Sequence, residues 1–203
     1  YKQSLKELNM GRPHILSATE EQLLAQMSEV TDASSETFSK LNNADLQFPK
    51  IKNEDGEEVR ITHGSYISFL ESKDRTVRES AFKAVYETYG NFRNTFASTL
   101  AGNVKSQNVR ARIRNYDSAR HAAMSNNFIP EKVYDQLIST IHEYLPLQHR
   151  YVALRKEVLG LDELHMYDLF TPLVKEVKLD MPYEKAKQLM VESFAPLGEE
   201  YQS

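Results

Sequence analysis

Imidazole, phenol and carboxylate come together in Leu164-His165-Met166-Tyr167-Asp168-Leu169-Phe170. Helical periodicity lapses from Leu161 to Val177, and Pro172 disfavours its return, so these groups fall where irregular backbone can present them. His165, Tyr167 and Asp168 are therefore the local candidates for a site. A structural role competes with that reading: His165 and Asp168 can cap or brace helix ends while Tyr167 packs. Arg12-Pro13-His14 sets another imidazole beside a guanidinium, and there helix capping is the better reading.

Other reactive patterns fail on spacing. A zinc-hydrolase helix needs two histidines four apart, so that both rings reach one ion, with a glutamate beside the first as base. His142-Glu143-Tyr144-Leu145-Pro146 comes nearest, with proline where the second histidine would stand. His142 and His149 share a face but lie two turns apart, roughly 10 Å along an axis, too far to hold one ion as a local pair. The seven glycines are scattered as caps and turns rather than gathered into a phosphate loop, and no serine stands in a Gly-x-Ser-x-Gly elbow. The acidic pairs Glu20-Glu21, Glu57-Glu58 and Glu199-Glu200 read as solvated surface.

The elements that would position these groups are mainly helical. Asp74 to Tyr116 contains no proline, and Phe82, Val85, Tyr89, Phe92, Phe96, Leu100 and Val104 recur at threes and fours, one apolar stripe of a long helix. Asp74 is a plausible N-cap. After Val104 the phase changes, so the helix either kinks near Gly102 to Asn108 or continues towards a second partner. A second long helix follows Pro130, with Val133, Leu137, Ile141, Tyr144, Tyr151 and Val158 on one face. Pro146 should kink it and Gly160 ends it.

Shorter signals fill the rest. Leu5 and Leu8 belong to a helix ending near Gly11, and Ser17 to Glu20 forms a capping box that opens another. Ser34 to Thr37 starts a short helix holding Phe38 and Leu41. Asn53-Glu54-Asp55-Gly56 separates two alternating segments, which predicts a β-hairpin over about Phe48 to Thr62 lying on the helices. Tyr66, Phe69 and Leu70 mark a short helix, Ser118 to Met124 another, and Pro182 opens a last one. The expected fold class is mainly α: long antiparallel helices with one small β-hairpin.

Composition narrows the function. The chain has 203 residues, 27% charged, with a net charge of -4, which disfavours a general nucleic-acid or anionic-membrane binder. The basic residues Lys105, Arg110, Arg112, Arg114 and Arg120 are spread around a helix and read as a solvated face. Without cysteine there are no disulfides and no thiolate metal sites, and a cytoplasmic location fits. No apolar run approaches the roughly 20 residues of a membrane span.

Several segments resemble oligoendopeptidase F, of the thimet-oligopeptidase-like zinc metallopeptidases. They are Arg12 to Ser17 (RPHILS), His63 to Ser106 (HGSYISFLESKDRTVRESAFKAVYETYGNFRNTFASTLAGNVKS), Ile129 to Ile138 (IPEKVYDQLI), His149 to Val174 (HRYVALRKEVLGLDELHMYDLFTPLV) and Pro196 to Tyr201 (PLGEEY). The resemblance is collinear over nearly the whole chain. It implies a helical parent enzyme whose two lobes enclose a channel that admits short peptides and excludes folded proteins. Zinc in such enzymes is held by a His-Glu-x-x-His helix and a later glutamate, and this chain is expected to be a fragment that stops before that helix. No catalytic or metal-ligating residue is then carried over, and no zinc is expected on this portion.

The same resemblance implies that residues 1–72 belong to an N-terminal oligopeptidase F-type lobe and residues 73–203 to an incomplete peptidase domain. It makes His165, Tyr167 and Asp168 candidates for lining or bracing the channel. The expected partners are short peptides and the missing catalytic lobe, and bare apolar surface would drive self-association. The competing reading is a non-enzymatic helical interaction module whose apolar stripes bind another protein.

Overall fold

A computed structural model describes residues 1–174 and 181–201 of the chain, so residues 175–177 of the predicted irregular segment lie outside the described residues. They form two units, residues 1–171 and the described part of 172–203.

Local chemistry starts and stops most elements of the first unit. Helix α1 (Lys2–Gly11) passes through a tight turn at Arg12–His14 into α2 (Ala18–Thr31). The Ser17 hydroxyl accepts from the Glu20 amide while the Glu20 carboxylate accepts from the Ser17 amide at 2.9 Å, the predicted capping box. After α3 (Ala33–Lys40) a π-helical turn at Leu41–Asp45 leads to the hairpin β1 (Lys50–Lys52) and β2 (Glu58–Arg60). The strands are antiparallel, Ile51 opposite Val59. Asn53 Oδ1 accepts from the amides of Asp55 and Glu57, and Gly56 takes φ +77, so side-chain acceptor and glycine together close the turn. Helix α4 (Tyr66–Leu70) precedes α5 (Arg75–Asn91), whose first turn is capped by Asp74 accepting from the Thr76 amide at 2.8 Å.

The stretch expected to be one helix from Asp74 to Tyr116 is two. It divides at Phe92 (φ -105, ψ 14) into α5 and α6 (Arg93–Ile113), and α6 runs unbroken through Gly102–Asn108, the second of the two alternatives there. The Phe92 amide bonds back only three residues, to the Tyr89 carbonyl at 3.1 Å. Gly90 and Asn91, poor helix formers, weaken the ladder just ahead of that point.

Helix α7 (Ala119–Ser125), capped by Ser118, leads to α8 (Glu131–Val158), which continues through Pro146 as one element. Gly160 (φ +64) turns the chain out of α8. In the second unit α9 (Tyr183–Ser193) follows Pro182, and Ala195–Leu197 and Glu199–Tyr201 form short 3-10 turns. The architecture is thus mainly α with one small hairpin.

The core gathers Leu46, Phe48, Ile51, Ile61, Val77, Ala81, Ala84 and Val85, with Tyr89 and Phe96 packed against it. The buried face of α5 carries alanines where Phe82 was expected to point inward, which lets the hairpin backbone approach closely. Phe82 instead turns towards Tyr167, with ring centroids 5.8 Å apart. Beyond Phe96 the predicted stripe is uncovered: Leu100 is 65% exposed and Val104 49%. Helix α8 is barer still, with Val133, Leu137, Ile141, Tyr144, Tyr151 and Val158 all exposed.

Candidate functional site

The segment after α8 is drawn into the first unit by its one buried carboxylate. Gly160 releases the chain from the helix, and a 3-10 turn at Met166–Asp168 brings Asp168 beneath the start of α5. Arg75 and Arg78 lie three apart on one face of α5, so both guanidinium groups reach the same point. Arg75 grips Asp168 with two nitrogens, Nε to Oδ1 at 3.2 Å and Nη2 to Oδ2 at 3.0 Å, while Arg78 Nη2 donates to Oδ1 at 2.8 Å. The His165 amide adds a fourth bond, to Oδ2 at 3.0 Å. Asp168 is fully buried, and the Arg78 side chain nearly so.

Arg155 of α8 holds the same turn from the other side. Its Nη2 donates to the carbonyls of Asp168 and Thr171, at 3.0 and 2.5 Å, and its Nη1 to the Tyr151 hydroxyl at 3.2 Å. Arg78 Nη1 donates to the Ser72 and Lys73 carbonyls, which ties the α4–α5 connection to the same centre. Two guanidinium groups thus bond one carboxylate, and a third holds the backbone of its turn. Nε of Arg78 and Nε of Arg155 are buried without an acceptor among the described residues. Burial by itself would push the Asp168 carboxyl up, but the hydrogen bonds from Arg75 and Arg78, with the His165 amide, outweigh it and hold the group at about 2. A carboxylate so placed is ionised at neutral pH and has no free face towards solvent. Its chemistry is to brace.

His165 and Tyr167 lie on the outer side of this turn. Their rings stack with centroids 5.0 Å apart and planes inclined by 14°, and the Arg75 guanidinium sits over the Tyr167 ring at 5.3 Å. Tyr167 is buried and His165 is exposed, so the imidazole is the part of the triplet that reaches solvent. None of Arg75, Arg78 and Arg155 was singled out from the sequence. The signal was present: Arg155 falls between Val152 and Leu159 at helical spacing, a charge between two half-buried apolar positions.

Among the described residues no group of three or more His, Cys, Asp or Glu could hold a metal ion. His142 and His149 lie on the exposed length of α8. The donors among the described residues therefore do not fit a zinc site. No helix among the described residues is long and apolar enough to cross a membrane.

The profile of peptidase family M3 matches residues 68–197, and that of oligopeptidase F matches residues 1–48. The chain belongs to peptidase family M3. This M3 chain is 59% identical over its whole length to oligopeptidase PepF of Bacillus subtilis (strain 168), of which it covers 30%. It is 50% identical to the group B oligopeptidase PepB of Streptococcus agalactiae serotype III (strain NEM316), with 99% of this chain and 33% of that protein aligned. The crystal structure of oligoendopeptidase-F from Enterococcus faecium superposes with a TM-score of 0.83 at 51% identity, covering 100% of this chain and 38% of that one. The chain thus spans about a third of the length of the M3 relatives it matches.

Two further groups in the M3 chain have structural duties. Arg114 grips Glu21 through both terminal nitrogens, at 2.8 and 2.6 Å, and Arg110 reaches Thr31 and Asp32, so basic residues read as solvated in fact bridge α6 to α2. The Arg114 contact, with the Leu16 amide, holds the Glu21 carboxyl below its usual range. His14 stacks on Tyr116 at 3.6 Å and its Nδ1 donates to the Arg114 carbonyl at 2.8 Å, which anchors the chain entering α2 against the end of α6.

Proposed function

We propose that the chain is part of a longer zinc metalloendopeptidase of the oligoendopeptidase F type that hydrolyses short oligopeptides, and that this part supplies scaffold and channel wall. The carrying observation is its collinear match, end to end, to proteins named as oligopeptidases of which it spans about a third. In this reading the metal belongs to residues elsewhere in the parent, and this chain alone is inert. In the same reading residues 1–72 are an N-terminal lobe, residues 73–203 the start of the peptidase domain, and the parent is cytoplasmic.

The same reading gives the Asp168 centre a role, which its contacts support. Asp168 fixes the turn, and His165 with the edge of Tyr167 forms the patch of channel wall that the turn presents. A second reading, a non-enzymatic interaction module, draws on the bare apolar stripe of α8.

The test compares the full-length protein with this chain. Reading the coding sequence past Ser203 should find a His-Glu-x-x-His segment. The full-length protein should bind zinc and cleave short fluorogenic peptides, losing cleavage to a chelator, while residues 1–203 do neither. Zinc-dependent cleavage by residues 1–203 would refute the inert scaffold, and a stop codon directly after Ser203 would favour the interaction module. Within the full-length enzyme, His165→Ala should raise KM for peptides without moving Tm, and unchanged kinetics would remove His165 from the channel wall.

A further inference from the structure

The crossing of α3 over α6 leaves a groove that the peptidase reading does not use. Ser34 and Gly102 form the close approach, and beside it opens a cavity of about 690 Å³, within the size range of small-molecule sites. Its apolar walls include Phe38, Tyr89 and Phe96. Phe38 meets Phe96 edge to face with centroids 5.8 Å apart, and Tyr89 lies 5.3 Å from Phe96. An aromatic or branched aliphatic side chain entering there would gain ring contacts on several sides.

The rim is polar and held in place. Asn42 lies in the π-helical turn Leu41–Asp45, a rare conformation often found at functional sites. Its side-chain oxygen accepts from the Tyr89 hydroxyl at 2.8 Å, and its main-chain carbonyl accepts from His63 Nε2 at 2.9 Å. Arg93 is the single charged residue lining the cavity, no carboxylate lines it, and Arg93 has no ion-pair partner among the described residues. An apolar pocket beside an uncompensated guanidinium is complementary to an apolar group that carries a carboxylate. The planar fork of arginine suits both oxygens at once.

We propose that this groove binds the carboxy-terminal residue of a short peptide, its apolar side chain against the wall formed by Phe38, Tyr89 and Phe96 and its terminal carboxylate on Arg93. The choice of a peptide as carrier of the carboxylate rests on the function proposed above, whereas the recognition chemistry rests on the groove itself. A free carboxy terminus distinguishes the end of a chain from its interior, so the groove would select chain ends.

The test uses the full-length protein and ligands with no internal peptide bond for a peptidase to cut, so binding is read apart from cleavage. Calorimetric titration with N-acetyl-phenylalanine should show affinity about tenfold above that for its carboxamide, the scale of one charge-assisted contact. Arg93→Gln should abolish that preference while leaving carboxamide binding unchanged. Leu100→Gln, at an exposed wall position, should weaken both ligands with Tm unchanged. Equal affinity for acid and carboxamide, indifference to Arg93→Gln, or binding of octanoate as tight as that of N-acetyl-phenylalanine would each overturn the proposal. Peptide cleavage measured alongside separates this outcome from the fate of the peptidase reading, because an enzyme that cleaves normally but binds neither ligand refutes only the groove.

Discussion

Asp168 and Arg78 meet at 2.8 Å with side chains 0% and 4% exposed, although ninety positions separate them in the sequence. The pair joins the head of α5 to the turn after α8, and Arg155 fastens α8 to the backbone of the same turn. A buried charge left without its partner is far more costly than the intact pair is favourable. The site is therefore stiff as long as all its members are present, and it fails when one is lost.

Asp168→Asn should accordingly destabilise the folded protein by about 3 kcal/mol or more, since Arg78 would stay buried without a counter-charge. Denaturant titration of the full-length protein measures it. Adding Arg78→Met to Asp168→Asn should recover part of the loss, because the orphaned cation goes with it. A double variant as unstable as the sum of the singles would disprove direct coupling.

Acid should weaken the same contact. The Asp168 carboxyl ionises near 3.8 when unfolded and at about 2 when folded, a depressed value, so its contribution is complete above the first and lost as pH falls through the second. On the order of 1–2 kcal/mol should disappear between about pH 4 and pH 2, because each tenfold change in proton affinity is worth roughly 1.4 kcal/mol and solvent screening reduces the total. The stability slope of Asp168→Asn over that window should be shallower than that of the unsubstituted protein. Equal slopes would mean that the carboxylate is not held as described.

Gly102→Ala tests the crossing of α3 and α6. A methyl group there would lie 2.1 Å from Ser34 Oγ and 2.9 Å from Ser34 Cβ; rotation can move the hydroxyl but not the Cβ. The substitution normally stabilises a helix interior by about 1 kcal/mol. Here it should destabilise by about 1–2 kcal/mol, the usual cost of overpacking. Ser34→Gly in the same protein should reverse the sign. A Tm raised by Gly102→Ala alone would show that the helices separate freely.

Residues 1–203 studied alone should self-associate through α8, where Leu137, Ile141 and Tyr144 are 58%, 52% and 56% exposed. Apolar stripes of that length are seldom left bare on a monomer. Sedimentation should show concentration-dependent oligomers, and Leu137→Glu with Ile141→Glu should shift them towards monomer. A clean monomer at high concentration before any substitution would count against the idea.

Features set by near neighbours were legible in the chain alone. The Ser17–Glu20 box, the Asp74 cap, the Asn53–Gly56 turn and the Gly160 exit each depend on residues within a few positions, and each formed as read. The mainly helical class and the small hairpin followed from periodicity, which needs no knowledge of partners. Phe92 was misread because an apolar stripe records which side seeks burial and not whether the hydrogen-bond ladder survives Gly90 and Asn91.

The candidate segment was legible as a segment, but its division of labour was not. Residue type alone treats His165, Tyr167 and Asp168 alike as possible ligands of something. Only the approach of α5 and α8 decides that the Asp168 carboxylate is gripped by Arg75 and Arg78, with Arg155 on its backbone carbonyl, while His165 is left facing solvent. The physical reason is range. Caps, turns and helical phase are local energies that the chain order dictates, whereas the protonation, burial and freedom of a side chain depend on charges brought near from scores of residues away.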